Sequence, residues 1–164
     1  MSATGSPSDR RSSGSPGPGL PSDTIAEAQR SIVDAFRGLE DWTERYRFLI
    51  DLGRRLPPLP PEQCVEDNRL PGCQAQVWLV SEQAEGVLVF RAASDAAIVA
   101  GLIALLLKVY SGRTPREILA TEPAFIDTIG LASHLSPNRA NGLGMMYRRI
   151  REIASHSLAL EAQP

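Results

Sequence analysis

The sequence predicts an α+β domain: a small antiparallel sheet of about three strands packed against helices from both flanks, in two layers. Three observations lead there. Helical spacing of apolar residues with capping signals runs from Thr24 to Leu56. Strict alternation then occupies QAQVWLV and VLVFRA. Helical patterns resume after Ser94 and continue almost to the end of the chain.

The first 23 residues are dominated by Ser, Gly and Pro and carry no apolar periodicity, which predicts a disordered tail. Its Ser-rich, acid-poor composition with Arg10 and Arg11 also suits an organelle transit peptide, but no amphipathic helix accompanies it. The folded domain is expected over residues 24–158, with a flexible C-terminus over 159–164. Thr24 and Glu27 have capping-box spacing, and Ile25, Ala28, Ile32, Ala35 and Leu39 form one stripe that ends near Gly38. A second capping box, Asp41 with Glu44, opens another helix, its inner face lined by Trp42, Arg45/Tyr46, Leu49, Leu52 and Leu56. The prolines of LPPLPP then force an extended connector.

In the first strand Ala75, Val77 and Leu79 share one face, and Gln74, Gln76, Trp78 and Val80 the other. The hairpin is expected to turn near Gly86, and Asn68–Leu70 to add a short third strand. Ser94 is placed as the cap of the next helix, with Asp95 in its first turn. That helix holds the apolar run Ala96–Leu107, well short of the roughly 20 residues a membrane span needs, so it reads as buried. Thr114-Pro115-Arg116-Glu117 is a further capping box, and a helical segment around Pro123–Ser133 carries Phe125, Ile129 and Ala132. Ser136-Pro137 starts the last helix, lined by Leu143, Met146, Ile150 and Ile153; Met145-Met146 reads as plain core packing.

Bulk composition excludes several functions. A chain of 164 residues suits one domain. A net charge of −2 gives no positive field for nucleic acid. No hydrophobic segment marks a secretory signal or a membrane anchor. Two cysteines are too few for a disulfide framework, which points to the reducing cytoplasm. No phosphate loop, paired carboxylates or Ser-His-Asp order is present.

What chemistry there is converges on Cys73, directly behind the Pro71-Gly72 corner. If the strand reaches back that far, parity turns its side chain toward the core with Ala75, Val77 and Leu79. A sheltered thiol on a Gly-containing turn suits a nucleophile presented only at times. Arg69 is the adjacent cation. A small buried hydrophobe with no chemistry is the plainer reading of a strand cysteine; the turn position shifts weight toward function, and at this point both readings stand. Cys64 is too far away for a CxxC motif but could act as a resolving thiol to a peroxidatic Cys73. Zinc would need His134 or His156 recruited from distant segments. His134 is either a general acid-base group or a polar cap at a helix end.

Four blocks in one order resemble the SufE family of sulfur-acceptor proteins, CsdE proteins included. They are DWTERYRFLIDLGRRLP, Asn68 with GCQAQVW, SDAAIVAGLIALLL and HLSPNRANGL, within a match from about Ile25 to Ser157. The resemblance implies a partner of a pyridoxal-phosphate cysteine desulfurase of the SufS type. It makes Cys73 the persulfide acceptor that passes sulfur onward to an iron–sulfur scaffold. Gly72 would let the loop swing outward, Gln74 and Trp78 would shape the niche or the docking surface, and Arg139 would contact the partner. The protein would hold no cofactor, since pyridoxal phosphate belongs to the desulfurase and the one lysine, Lys108, lies in an apolar helix. It would act as a relay rather than a stand-alone enzyme. Two departures stand out: Ala75 replaces a common Ser, and Cys64 is not part of the family pattern. A thiol redox enzyme using Cys73 and Cys64, and an adaptor that works by docking alone, are the other readings.

Overall fold

A computed structural model describes residues 20–163. Most of the tail expected over 1–23 lies outside the described residues. Six α-helices and a two-stranded sheet are described: α1 (Ile25–Arg37), α2 (Trp42–Arg54), β1 (Val77–Ala84), β2 (Val87–Ser94), α3 (Ala97–Tyr110), α4 (Pro115–Ala120), α5 (Ala124–Thr128) and α6 (Pro137–Glu161). The capping boxes at Thr24 and Thr114 form as their spacing predicts, each side chain and its Glu partner satisfying the other's backbone N–H. The box at Asp41 forms only by half: its carboxylate accepts from the Glu44 N–H, while the Glu44 carboxylate accepts from the Glu40 N–H instead of from the cap.

The apolar helix α3 is the hub, packed by α1, α2, β2 and α6. Its Leu102, Ile103, Leu105, Leu106, Val109 and Tyr110 are all buried. A helix-interior glycine costs stability, and here Gly101 and Gly53 let the α2 and α3 backbones touch. A Cβ on Gly101 would stand 2.1 Å from the Leu49 carbonyl oxygen, and one on Gly53 would stand 2.7 Å from the Gly101 nitrogen.

The hairpin pairs Leu79 with Ala92 and Ser81 with Phe90. Its turn is only Glu85-Gly86, both at positive φ (52° and 82°), as a type I′ turn requires. The residues Ser81–Ala84, which the sequence places in the connection, therefore belong to β1. Val77, Leu79, Leu88, Phe90 and Ala92 form the buried inner face.

Three further expectations are corrected. The third strand reduces to a single bridge, Arg69 to Trp78, because the 3₁₀ turn Glu66–Asn68 and the Pro71-Gly72 corner leave almost no extended backbone between them. Strand pairing does not reach back to Cys73, since β1 begins at Val77. Ser94 and Asp95 do not cap α3, whose N-cap is Ala96 with no side-chain bond. Ser94 Oγ accepts from the Ala96 N–H, while the Asp95 carboxylate accepts from the Gln76 N–H at 2.9 Å.

Ahead of α1, Asp23 pairs with buried Arg113 at 3.1 Å, and Arg113 Nε donates to the Val109 carbonyl. At the other end α6 runs to Glu161, into the 159–164 segment. Among the described residues no helix is long and apolar enough to cross a membrane.

Candidate functional site

Residues 71–76 form a loop whose ends are held by backbone. Leu70 N–H donates to the Val77 carbonyl at 2.8 Å, and Gln76 is held from both sides by Asp95. Gly72 turns the corner at φ +83°, a conformation that disfavours any side chain. Cys73 follows, half-buried and free. It packs against the first turns of α6, where a Cβ added to Gly142 would stand 3.7 Å from the Cys73 Sγ.

The thiol looks into an open cleft of about 450 Å³. Val99 and Leu102 of α3, with Leu143 and Met146 of α6, supply its apolar floor, and Gln74, Asn138 and Arg139 its polar side. Partial burial pushes the Cys73 thiol above its ordinary range, and the Arg69 guanidinium pulls it partly back. The resting cysteine is therefore held as a thiol near neutral pH, protected from stray electrophiles. A prediction follows for Cys73 alkylation in a Cys64→Ser background. The rate should climb with pH through a midpoint above that of an ordinary cysteine thiol. Arg69→Ala should move that midpoint higher still, because a nearby cation favours the thiolate; a downward move would contradict the assignment.

The family model of SufE, described as an Fe-S metabolism associated domain, matches residues 30–154. The chain belongs to the SufE family. A SufE-like protein of Rhizobium meliloti (strain 1021) is 42% identical over 132 residues, covering 77% of this chain and 94% of the relative. A SufE-like protein of Rhizobium etli is 44% identical over 128 residues, covering 75% of this chain and 86% of the relative. In shape the chain is similar to the solution structure of a hypothetical protein from Thermus thermophilus. The TM-score is 0.67 at 23% identity, over 80% of this chain and 96% of the other, which speaks for the fold alone.

Within this SufE-family domain the predicted site residues divide. Gly72, Cys73, Gln74 and Arg139 gather at one place. Gln74 is exposed and lines the cleft next to the thiol. Arg139 is exposed in the first turn of α6, where Ser136 Oγ caps its N–H, and no ion pair among the described residues engages its guanidinium. Trp78 does not line the cleft. It follows Val77 in β1, so its side chain leaves the opposite face of the hairpin, while its backbone bridges to Arg69 along the strand edge. Ala75 does line the cleft, and its methyl keeps apolar a wall where Ser would add a hydroxyl.

Cys64 lies outside the cleft lining, with its Sγ facing the Leu59 carbonyl at 3.9 Å. His134 stacks on Trp42 with ring centroids 3.8 Å apart, and its Nδ1 lies 3.1 Å from the Gly130 carbonyl. It stands outside the cleft lining, packed on Trp42, and among the described residues no group of three or more His, Cys, Asp or Glu could hold a metal ion.

Sequence reasoning missed Asn138 and Gly142, which line the cleft, and read as core packing Met145, whose Sδ would stand 2.9 Å from a Cβ on Gly72. Asn138 and Gly142 stand inside the quoted SPNRANGL block, beside Arg139. Met145 left a usable signal: of two adjacent helical residues, at most one points squarely into the core, and Met146 is the buried one.

Proposed function

We propose that the protein is a sulfur acceptor. It takes persulfide sulfur from a SufS-type cysteine desulfurase onto Cys73, stimulates that desulfurase, and hands the sulfur to an iron–sulfur scaffold. One observation carries the reading. A free, half-sheltered thiol sits on a loop hydrogen-bonded only at its ends, beside an apolar cleft with room for an added sulfur atom. The membership in a family of Fe-S metabolism supports it.

The transfer needs only thiol exchange. The Cys73 thiol gives up its proton as the loop leaves the cleft, and the thiolate attacks the outer sulfur of the donor persulfide. A sulfur–sulfur bond forms to Cys73 while the donor's breaks, and the donor leaves as a thiolate, so no external oxidant or reductant is consumed. Returning to the cleft would shelter the new persulfide from reductants of the cytoplasm. Gly72 supplies the backbone freedom for the swing, and exposed Gln74 and Arg139 would meet the partner first. The desulfurase brings pyridoxal phosphate, and the acceptor needs no cofactor.

The test measures alanine formation by a SufS-type desulfurase given cysteine, with and without this protein. Faster turnover is expected with the wild-type chain. Cys64→Ser should stimulate as well as wild type, within about twofold, since Cys64 faces away toward Leu59. A Cys64→Ser protein that accepts no sulfur, yet whose parent reduces peroxide, would favour the two-thiol redox reading instead.

A further inference from the structure

We propose that Met145 is a latch on the cysteine loop, a positioning residue that sets how often Cys73 leaves its cleft; the inference rests on the relay reading above. Residues 71–75 make no hydrogen bond to the rest of the chain among the described residues, the nearest ones being at Leu70 and Gln76. The tip is therefore held by packing. Cys73 lies over Gly142, and Gly72 lies over Met145 one turn further along α6, so a single helix face carries both contacts.

The Gly72 contact has one owner. A Cβ built there would meet only the Met145 thioether, with Sδ at 2.9 Å and Cε at 3.1 Å. Gly72 is exposed and has no side chain of its own with which to grip the helix. Met146, the neighbour, is 4% exposed and serves the core and the cleft floor, whereas Met145 is only half-buried. Core packing thus does not account for Met145. A long, unbranched, polarisable side chain can follow a backbone that moves away and settle against it again on return. A β-branched or charged residue at this position would do neither.

The experiment uses the full chain carrying Cys64→Ser, so that Cys73 is the only thiol, and measures its alkylation by iodoacetamide without any desulfurase. Met145→Ala should raise the rate about fivefold by shifting the loop toward its outward state, and Met145→Leu should stay within about twofold of the parent. Ile118→Val, which trims a buried residue of α4 and lowers stability generally, should leave the rate unchanged. Equal rates for Met145→Ala and the parent, or the same rise with Ile118→Val, would overturn the latch. Because the readout needs no sulfur donor, it decides the latch separately from the relay: failure of sulfur transfer onto Cys73 would remove the relay while leaving the alkylation result standing.

Discussion

Cys73→Ser is expected to reduce desulfurase stimulation to the rate of the desulfurase alone and to end sulfur acceptance altogether. The change replaces one sulfur by one oxygen in a half-buried position, so the cleft, the loop ends and the surface around Arg139 and Gln74 remain. Melting should stay within about 2 °C of wild type, as for a small polar change at a part-exposed site. What disappears is the thiolate, since a serine hydroxyl does not exchange with a persulfide near neutral pH. The variant therefore separates a relay from an adaptor. An adaptor activates by docking and would survive the change; retained stimulation by Cys73→Ser would overturn the relay and leave docking as the activity.

The largest effect on stability is expected at the α2–α3 crossing. Gly101→Ala would place a methyl carbon 2.1 Å from the Leu49 carbonyl oxygen, with the Leu49 backbone carbon and Cβ at 2.6 and 2.9 Å. Backbone cannot rotate out of the way as a side-chain tip can, so the two helices must separate. Overpacking of this kind costs about 3 kcal/mol, which corresponds to a melting temperature about 10 °C lower for a chain of this size. Gly144→Ala in α6 is the matched control, because nothing lies within 4 Å of its added Cβ. There the better helix propensity should stabilise by roughly 0.5–1 kcal/mol. Thermal melts of both variants decide it; equal melting temperatures would show that the close crossing is not what Gly101 provides.

Much of this architecture is legible in the sequence because its causes are local. Thr24 with Glu27 and Thr114 with Glu117 need nothing beyond three-residue spacing to specify helix starts, and both appear as expected. The run through Ala96–Leu107 is apolar on every side and so had to be buried. Alternation in VWLV separated Val77 from Trp78 correctly. By that same parity a core-facing cleft excludes Trp78, which entered the niche only through family resemblance. Where the sequence misled, a distant partner or a bend on either side had decided the outcome. Asp95 looks like a first-turn helix residue until Gln76 claims its carboxylate. Asn68–Leu70 looks like a strand until the chain bends on both sides of Arg69. The Gly53–Gly101 contact and the Gly72–Met145 contact join residues dozens of positions apart, and nothing in local spacing announces either.

The central claim is that Cys73 itself receives the sulfur. The most direct measurement mixes the protein with a SufS-type desulfurase and cysteine, then takes intact-protein mass spectra followed by peptide mapping without reductant. A mass gain of one or more sulfur atoms, located on the peptide that contains Cys73 and absent from Cys73→Ser, is the predicted result. Sulfur carried on Cys64, or no gain under conditions where the desulfurase turns over, would contradict it.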